Sequence, residues 1–296
     1  MAARIPVGGM IARAYGFAFG NIVSNLGAIW IPVALLWTAT YYLQPPLATQ
    51  LQAQRDPQAA LVEAPMLLAL TAIGFIAQSA QLAALTKEAL GLRSGNAFLQ
   101  FPFGAAMWRT LGSTLLFFLV MMIIYIGLVL VTVIAGGITA VIVKTYGVFI
   151  VIALFLALFC ALLYIATRLS FFLSAVAVAE HKVSLIRAWQ LTAGNFWRIF
   201  AAMSVILAPF VILEIVFLGF LLAPLFHSFH ASMTPLEITA LQQQFVMTVS
   251  EFPQRFWYVA YPLGLLATLL LYGMYTGAAA YAYRAVAEQG GAPEVF

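Results

Sequence analysis

The sequence predicts an all-α, polytopic integral membrane protein in which residues 1–296 form a single transmembrane domain. Three observations support this prediction: 65% of the residues are hydrophobic, only 7% are charged, and the apolar residues fall into six long runs. Soluble globular domains carry about 25% charged residues, and a soluble fold of this size could not bury so much apolar side chain. Lipid is therefore the solvent that this composition fits.

Each of the six apolar runs is long enough to cross the hydrocarbon core of a bilayer, which takes about 20 helical residues. All six should be helices, since backbone polar groups in lipid must be hydrogen-bonded within their own segment. We place the six transmembrane helices at residues 26–43, 65–83, 110–134, 145–167, 199–224 and 256–283. Pro65 is expected at a first helical position of the second span. The pair Gly136-Gly137 is expected to end the third span.

The basic residues predict the orientation of the chain. Ten of them fall on the side of the two termini: Arg4, Arg13, Lys87, Arg93, Arg109, Arg168, Lys182, Arg187, Arg198 and Arg284. Only three fall on the opposite side: Arg55, Lys144 and Arg255. Because short loops rich in Lys and Arg stay in the cytoplasm, both termini should be cytoplasmic. The chain is then a multi-pass protein of a bacterial inner membrane.

Two longer loops, at residues 44–64 and 225–255, should face outward. The second loop is expected to contain a short helix over about residues 234–249. Thr234 suits the N-cap of that helix, Pro235 its first position and Glu237 its third, which together make a capping box.

A half-polar stretch with an aromatic residue and a Gly-Asn pair precedes spans one, three and five. The three stretches include residues 19–21, 95–98 and 194–198. They favour three repeated units, each made of a cytoplasmic interfacial helix and a two-span hairpin. The alternative is that Gly, Asn, Trp and Arg are simply common at membrane interfaces.

Residues 182–198 are predicted to contain a short amphipathic helix on the cytoplasmic face. Its polar stripe is Ser184, Arg187, Gln190 and Gly194, and its apolar side is Leu185, Ile186, Trp189 and Ala193. Such a helix places tryptophan at headgroup depth and arginine near lipid phosphates. The candidate headgroup and interface residues are Arg109, Arg168, Arg187, Trp189, Trp197 and Arg198. Either they recognise anionic lipid, or the segment only sets the depth and tilt of span five.

The residues around this helix resemble a bacterial membrane module. They are Arg168-Leu-Ser-Phe-Phe, Ala177-Val-Ala-Glu180, and the run Ala188-Trp189-Gln-Leu-Thr192-Ala-Gly194-Asn195-Phe196-Trp197-Arg198. The stretch over residues 168–214 is similar to the membrane domain attached to some glycerophosphodiester phosphodiesterases and to the YciC-like inner-membrane family. The resemblance implies a multi-span module of the bacterial inner membrane. It does not imply phosphodiesterase activity, because in the fused proteins that chemistry belongs to a separate soluble barrel.

Glu214 lies within span five among aliphatic residues. A bare carboxylate deep in a bilayer costs about 2.5–3.5 kcal/mol, so we expect Glu214 to be protonated or partnered and to face the bundle interior. The candidate partners are Gln78, Ser79, Gln81, Thr132, Tyr272, Tyr275 and Thr276. The candidate intramembrane polar site is Glu214 with Gln78, Gln81 and Tyr272. One interpretation of this site is functional: it couples to a proton or cation, or forms the floor of a polar cavity. The other interpretation is a structural hydrogen bond between helices.

Other chemistries have little support in the sequence. His227 and His230 could share a helical face and hold a metal, but no third ligand follows at a suitable distance. Cys160 is the single cysteine, which excludes an intrachain disulfide. The chain has no H-E-x-x-H, Gly-x-Ser-x-Gly or P-loop motif and no Lys/Arg-rich block. The sequence therefore predicts no cofactor, no metal, no catalytic residue and no nucleic-acid partner.

The function that the sequence favours is handling of a lipid or another amphiphile, or transport of a small solute, through a cavity between the helices. Glu214 and span two would line that cavity. One alternative is a non-catalytic accessory or scaffold protein of a membrane complex, and a weaker alternative is an intramembrane enzyme. The expected partners are membrane lipids and, in the scaffold case, a protein in the membrane. The oligomeric state stays open.

Overall fold

The computed structural model describes residues 4–44, 56–92, 103–142, 147–226 and 234–287, and the regular structure of these residues is helical. The helices are α1 (Val7–Gly20), α2 (Ile22–Leu43), α3 (Pro57–Ala89), α4 (Ala105–Ile142), α5 (Gly147–Ser170), α6 (Leu173–Ala179), α7 (Leu185–Thr192), α8 (Phe196–Phe226), α9 (Pro235–Arg255) and α10 (Trp257–Ala287). Six stretches within the described residues are long and apolar enough to cross a membrane: α2, α3, α4, α5 together with α6, α8 and α10. The predicted all-α, polytopic fold with six spans is confirmed.

The second spanning helix begins earlier than the sequence suggested. α3 starts at Pro57, and the Asp56 carboxylate accepts a hydrogen bond of 2.9 Å from the backbone N–H of Gln58. Pro65 lies inside the helix, so its predicted place at a first helical position is wrong. An acidic N-cap followed by proline satisfies the open amides of the first turn, and a later proline removes only one backbone hydrogen bond.

The third spanning helix extends further than predicted. α4 continues through Gly136-Gly137 and ends at Ile142, so the prediction that the glycines stop it is wrong. A glycine inside a helix costs about 0.5–1 kcal/mol. Opening the helix in an apolar solvent would leave backbone groups without partners, which costs more.

The helix predicted in the outward loop is present as α9, which begins at Pro235 and ends at Arg255. The Thr234 backbone N–H donates to Glu237 Oε2 at 2.7 Å, and the Thr234 hydroxyl donates to the same oxygen at 2.9 Å. The capping box predicted at these two residues is confirmed.

The larger hydrophobic core lies at the end of the bundle where the described chain begins and ends, hereafter the terminal end. It joins α1 and α10 to the starts of α4 and α8, and every residue of α6 is buried in or beside it. Met10, Phe171, Phe172, Ile199 and Met274 are among its fully buried side chains. The short helices α6 and α7 therefore belong to a packed layer at the terminal end.

Away from the terminal end the bundle divides into groups of helices. α2, α3 and α10 pack together around Ile29, Leu85 and Leu269, and the rings of Trp37 and Tyr261 stack at 4.9 Å. α4 and α5 form a pair, in which each helix keeps a half-buried stripe at helical spacing. α8 packs mainly on α1, near the start of α8.

Candidate functional site

Arg168, at the end of α5, is held by three groups and lies over an aromatic ring. Its Nε donates to the Thr192 hydroxyl at 3.2 Å, and its Nη2 donates to the Trp189 carbonyl at 2.9 Å. Its Nη1 donates to the Tyr164 hydroxyl at 2.9 Å. The guanidinium carbon lies 3.7 Å from the centre of the Trp189 ring, within cation–π range. Arg168 therefore connects α5 to α7 through contacts within the protein.

Arg187 is paired inside the protein in the same way. Its Nε donates to Glu180 Oε1 at 2.9 Å, and the buried Tyr283 hydroxyl donates to the same oxygen at 3.1 Å. Glu180 follows α6, Arg187 lies on α7 and Tyr283 on α10. The three side chains connect three elements of the terminal layer.

Asn195 and Arg198 hold the segment before α1. Asn195 Oδ1 accepts a hydrogen bond of 3.1 Å from the Ile5 backbone N–H, and Arg198 Nη1 donates to the Ile5 carbonyl at 3.2 Å. Ile5 itself is fully buried. The first turn of α8 is therefore attached to the beginning of the described chain.

The remaining predicted interface residues are more open. Trp197 is 76% exposed and lies beside Phe196 and Phe200. Arg109 Nη1 lies 2.8 Å from His181 Nδ1, which accepts because a guanidinium can only donate. Trp197 thus keeps the surface suited to an interfacial anchor, whereas Arg168, Arg187 and Arg198 serve internal contacts.

The structure brings together part of the predicted intramembrane polar site. Gln78 on α3 and Tyr272 on α10 are hydrogen-bonded through their side chains. Gln81 and Ser79 are buried on α3, and the Ser79 hydroxyl has no hydrogen-bond partner among the described residues. Asn25 on α2 is also buried beside α10, and its amide donates to the Phe17 carbonyl at 3.3 Å. Sequence reasoning missed Asn25, because a lone amide near a span's predicted start carries no signal of burial.

Glu214 does not join that polar group. It is exposed, and so are the residues on either side of it, so the prediction that it faces the bundle interior is wrong. Three of its expected partners bond elsewhere: Thr132 to the Leu128 carbonyl, Tyr275 to the Ser170 carbonyl, and Thr276 to the Tyr272 carbonyl. The physical reason is that residues 211–217 of α8 are all exposed, so within the described part of the chain the helix has no interior face at Glu214.

The exposure of α8 extends around the whole helix. Phe210 is half-buried and packs against the larger core, but every residue from 211 to 217 is exposed, and Phe220 is 83% exposed. Because a helix turns every 3.6 residues, a run of this length presents every face. The buried positions of α8 are Ile199, Ala202 and Ile206, all near its start.

Comparison with protein-family models, with curated proteins and with solved structures finds no match to the chain. The resemblance over residues 168–214 therefore stays a prediction from the sequence. His227, His230, Arg93 and residues 95–98 lie outside the described residues. The three-unit repeat can be followed at two places, where α1 precedes α2 and α7 precedes α8.

Proposed function

We propose that this chain is a module of the bacterial inner membrane that binds a lipid or another amphiphile, with both termini in the cytoplasm. The observation that supports the proposal is the exposure of α8 on every side over residues 211–217. A span that only borders lipid buries one face against its neighbours, as the half-buried stripes of α4 and α5 do. Over residues 211–217, α8 has no such face within the described part of the chain.

The exposed surface of α8 suits an amphiphile in its chemistry. It carries large aliphatic side chains, including Ile212, Leu213, Ile215 and Val216, which match an acyl chain. Glu214 is the one acidic residue of α8 and gives a polar group of the ligand a place to bond within an apolar surrounding. An acyl chain can reach this surface sideways from the bilayer, without an aqueous path through the protein.

The orientation rests on the distribution of charge. Arg4, Arg109, Arg187, Arg198 and Arg284 all lie in the terminal layer described above, where their elements begin or end. Basic residues accumulate on the cytoplasmic side of inner-membrane proteins. These residues support the proposal that the terminal end faces the cytoplasm.

A photo-crosslinking experiment tests the proposal. Benzoylphenylalanine is placed at Leu213 or at Ile215, which point about 200° apart on α8. Val133 of α4 is the matched control, because it is 67% exposed and the other two are 66% and 63% exposed. The protein is purified in detergent with stringent washing, irradiated and analysed by intact-mass spectrometry. We expect phospholipid adducts at both α8 positions and none at Val133.

The other outcomes of this experiment are equally informative. Adducts of protein mass at Leu213 and Ile215, formed in membranes before purification, would replace the proposal with the scaffold function, because a partner helix would then cover α8. Equal lipid adducts at all three positions, or none at any, would overturn amphiphile binding beside α8.

Accessibility of position 214 separates amphiphile binding from solute transport. Glu214→Cys is made in a Cys160→Ser background, because the Cys160 thiol is itself exposed. A small membrane-impermeant thiol reagent is then applied from each side of the membrane. Amphiphile binding predicts no labelling from either side, whereas labelling would show a water-filled path and favour the transport of a small solute.

A further inference from the structure

A cavity that does not involve α8 lies at the terminal end of the bundle. Its volume is about 810 Å³, and it is open on one side. Its walls come from the segment before α1, from α1, from the end of α3 and from the last turns of α10. The polar side chains that line it are Arg4, Arg13, Asn21, Tyr281 and Arg284. The predicted sites contain none of these residues.

The charge of this cavity has one sign. Three guanidinium groups converge on it from three parts of the chain, and none of the described residues that line it is acidic. An arginine stays charged at any pH a protein meets, so all three side chains bring positive charge to the wall of the cavity. Converging fixed positive charge in a concave site attracts and concentrates anions.

The lining also fits the geometry of one kind of anion. A guanidinium presents parallel N–H groups that match two oxygens of a phosphate, and several arginines can share one phosphate group. The Asn21 amide and the Tyr281 hydroxyl can donate further hydrogen bonds at the same wall. The volume lies within the range of ordinary small-ligand sites, about 300–1,000 Å³.

The walls of the cavity are built from closely packed elements. Ile5, next to Arg4, is fixed on both backbone groups by Asn195 and Arg198. α1 lies so close to α10 that a Cβ added at Gly277 would come within 2.9 Å of Phe17 Cβ. A site whose backbone is already in place loses little entropy when a ligand binds.

We infer that this cavity is a binding site for a phosphate group, held by Arg4, Arg13 and Arg284. The phosphate belongs either to the headgroup of an anionic phospholipid or to a free phosphorylated solute. The inference rests on the terminal cavity alone, so it holds whether or not an amphiphile binds beside α8.

Binding measurements on the purified full-length protein test the inference. The probes are phosphatidylglycerol, phosphatidylcholine and inorganic phosphate, each titrated in detergent while the shift in melting temperature and the dissociation constant are measured. The test variant is Arg13→Gln, whose side chain is exposed and therefore removable without disturbing the core. The control is Lys87→Gln, an equal charge change at an exposed residue of the same end that does not line the cavity.

We expect phosphatidylglycerol to bind more tightly than phosphatidylcholine, and Arg13→Gln to weaken its binding about tenfold or more, as loss of a charge-assisted hydrogen bond does. Lys87→Gln should change the affinity less than about threefold, because it removes only a long-range electrostatic attraction for the anion. Competition by inorganic phosphate, abolished by Arg13→Gln, would identify the ligand as a free phosphorylated solute. Equal effects of the two variants, or no selective binding of any probe, would overturn the inference. Arg4→Gln repeats the test at a second exposed residue.

Discussion

Arg168 illustrates, at the scale of a single residue, how a charge at a membrane surface can serve the fold. Its planar guanidinium makes hydrogen bonds in three directions while it lies flat over the Trp189 ring. A lysine has the same charge but cannot form this fork or stack in the same way. The arrangement therefore requires arginine specifically.

The prediction at this scale is that Arg168→Lys destabilises the protein by about 1–3 kcal/mol, because charge-assisted hydrogen bonds and the stacking on Trp189 are lost together. The measurement is the free energy of unfolding from a denaturant titration in detergent. Arg109→Lys is the control, since Arg109 is only half-buried and its bond to His181 lies at the surface, so a change there should cost less than about 0.5 kcal/mol. Equal stability of the two variants would contradict the internal role of Arg168.

The sequence predicts that these arginines lie at one end of the bundle, but it does not show which groups they contact. Spacing along the chain shows that Arg168, Arg187 and Arg198 follow or precede apolar runs. Whether each meets a phosphate or a protein group depends on which helix packs beside it, and that is decided by contacts between residues 7 to 193 positions apart in sequence. The prediction for Glu214 is wrong for a related reason. Whether a face of α8 is buried depends on which helices pack beside it, and residues 211–217 are exposed.

At the scale of elements, the contact between α1 and α10 decides the shape of the terminal end. Gly277 lies against Arg13 and Phe17, and an added Cβ would come within 2.9 Å of Phe17 Cβ and 3.2 Å of the Arg13 carbonyl oxygen. Both distances are shorter than ordinary van der Waals contact. A side chain at this position must push the two helices apart.

We therefore predict that Gly277→Ala lowers the stability of the detergent-solubilised protein by about 1–3 kcal/mol, the usual cost of overpacking. Thermal melting monitored by tryptophan fluorescence measures the loss. Gly127→Ala on α4 is the matched control, because an added Cβ there meets nothing within 4 Å. Alanine is the better helix former, so the control should melt no lower than the unaltered chain. An unchanged melting temperature for Gly277→Ala would show that α1 and α10 are not closely packed.

Element boundaries were predictable where a local signal sets them. Thr234 and Glu237 mark the start of α9 through their own side chains, so four residues of sequence were enough. Asp56 and Pro57 carry a similar local signal for the start of α3. The predicted span instead begins at Pro65, because apolar character alone sets the predicted boundary. At Gly136-Gly137 the local signal predicts a helix end that is not present. Helix propensities measured in water overstate how readily a helix ends in lipid, where an open backbone group finds no partner.

For the whole molecule, the six apolar stretches and their order followed from hydropathy, because length and composition decide which segments can cross a bilayer. The exposure of every face of α8 over residues 211–217 could not be predicted this way. Every face of an aliphatic helix is compatible with lipid, so its sequence does not distinguish a packed face from an open one. The terminal cavity was missed because Arg4, Arg13 and Arg284 are distant in sequence and become neighbours only when α1 packs along α10.

The orientation of the whole molecule is open to direct measurement. In a Cys160→Ser background, Glu237→Cys on α9 should react with a membrane-impermeant maleimide in cells whose inner membrane is intact. Lys182→Cys, between α6 and α7, should react only after the inner membrane is permeabilised, because we propose that the positively charged end faces the cytoplasm. Both positions are exposed, so neither is shielded by the fold. The reverse labelling pattern would show that the orientation is opposite to the proposed one. Reaction at both positions in intact cells would contradict the prediction that they lie on opposite sides of the membrane.

Within the described part of α8, the fully buried side chains lie near its start. Ile199, Ala202 and Ile206 belong to the core there, and Asn195 and Arg198 bond to Ile5, while other residues of α8 contact α9. From Ile206 to Phe220 the helix rises about 21 Å, so a change of about 10° in its tilt at Ile206 moves Phe220 by about 4 Å. That distance is close to the thickness of one acyl chain. A small change in the tilt of α8, with the buried residues at its start left in place, is therefore enough to admit or exclude one acyl chain beside residues 211–217.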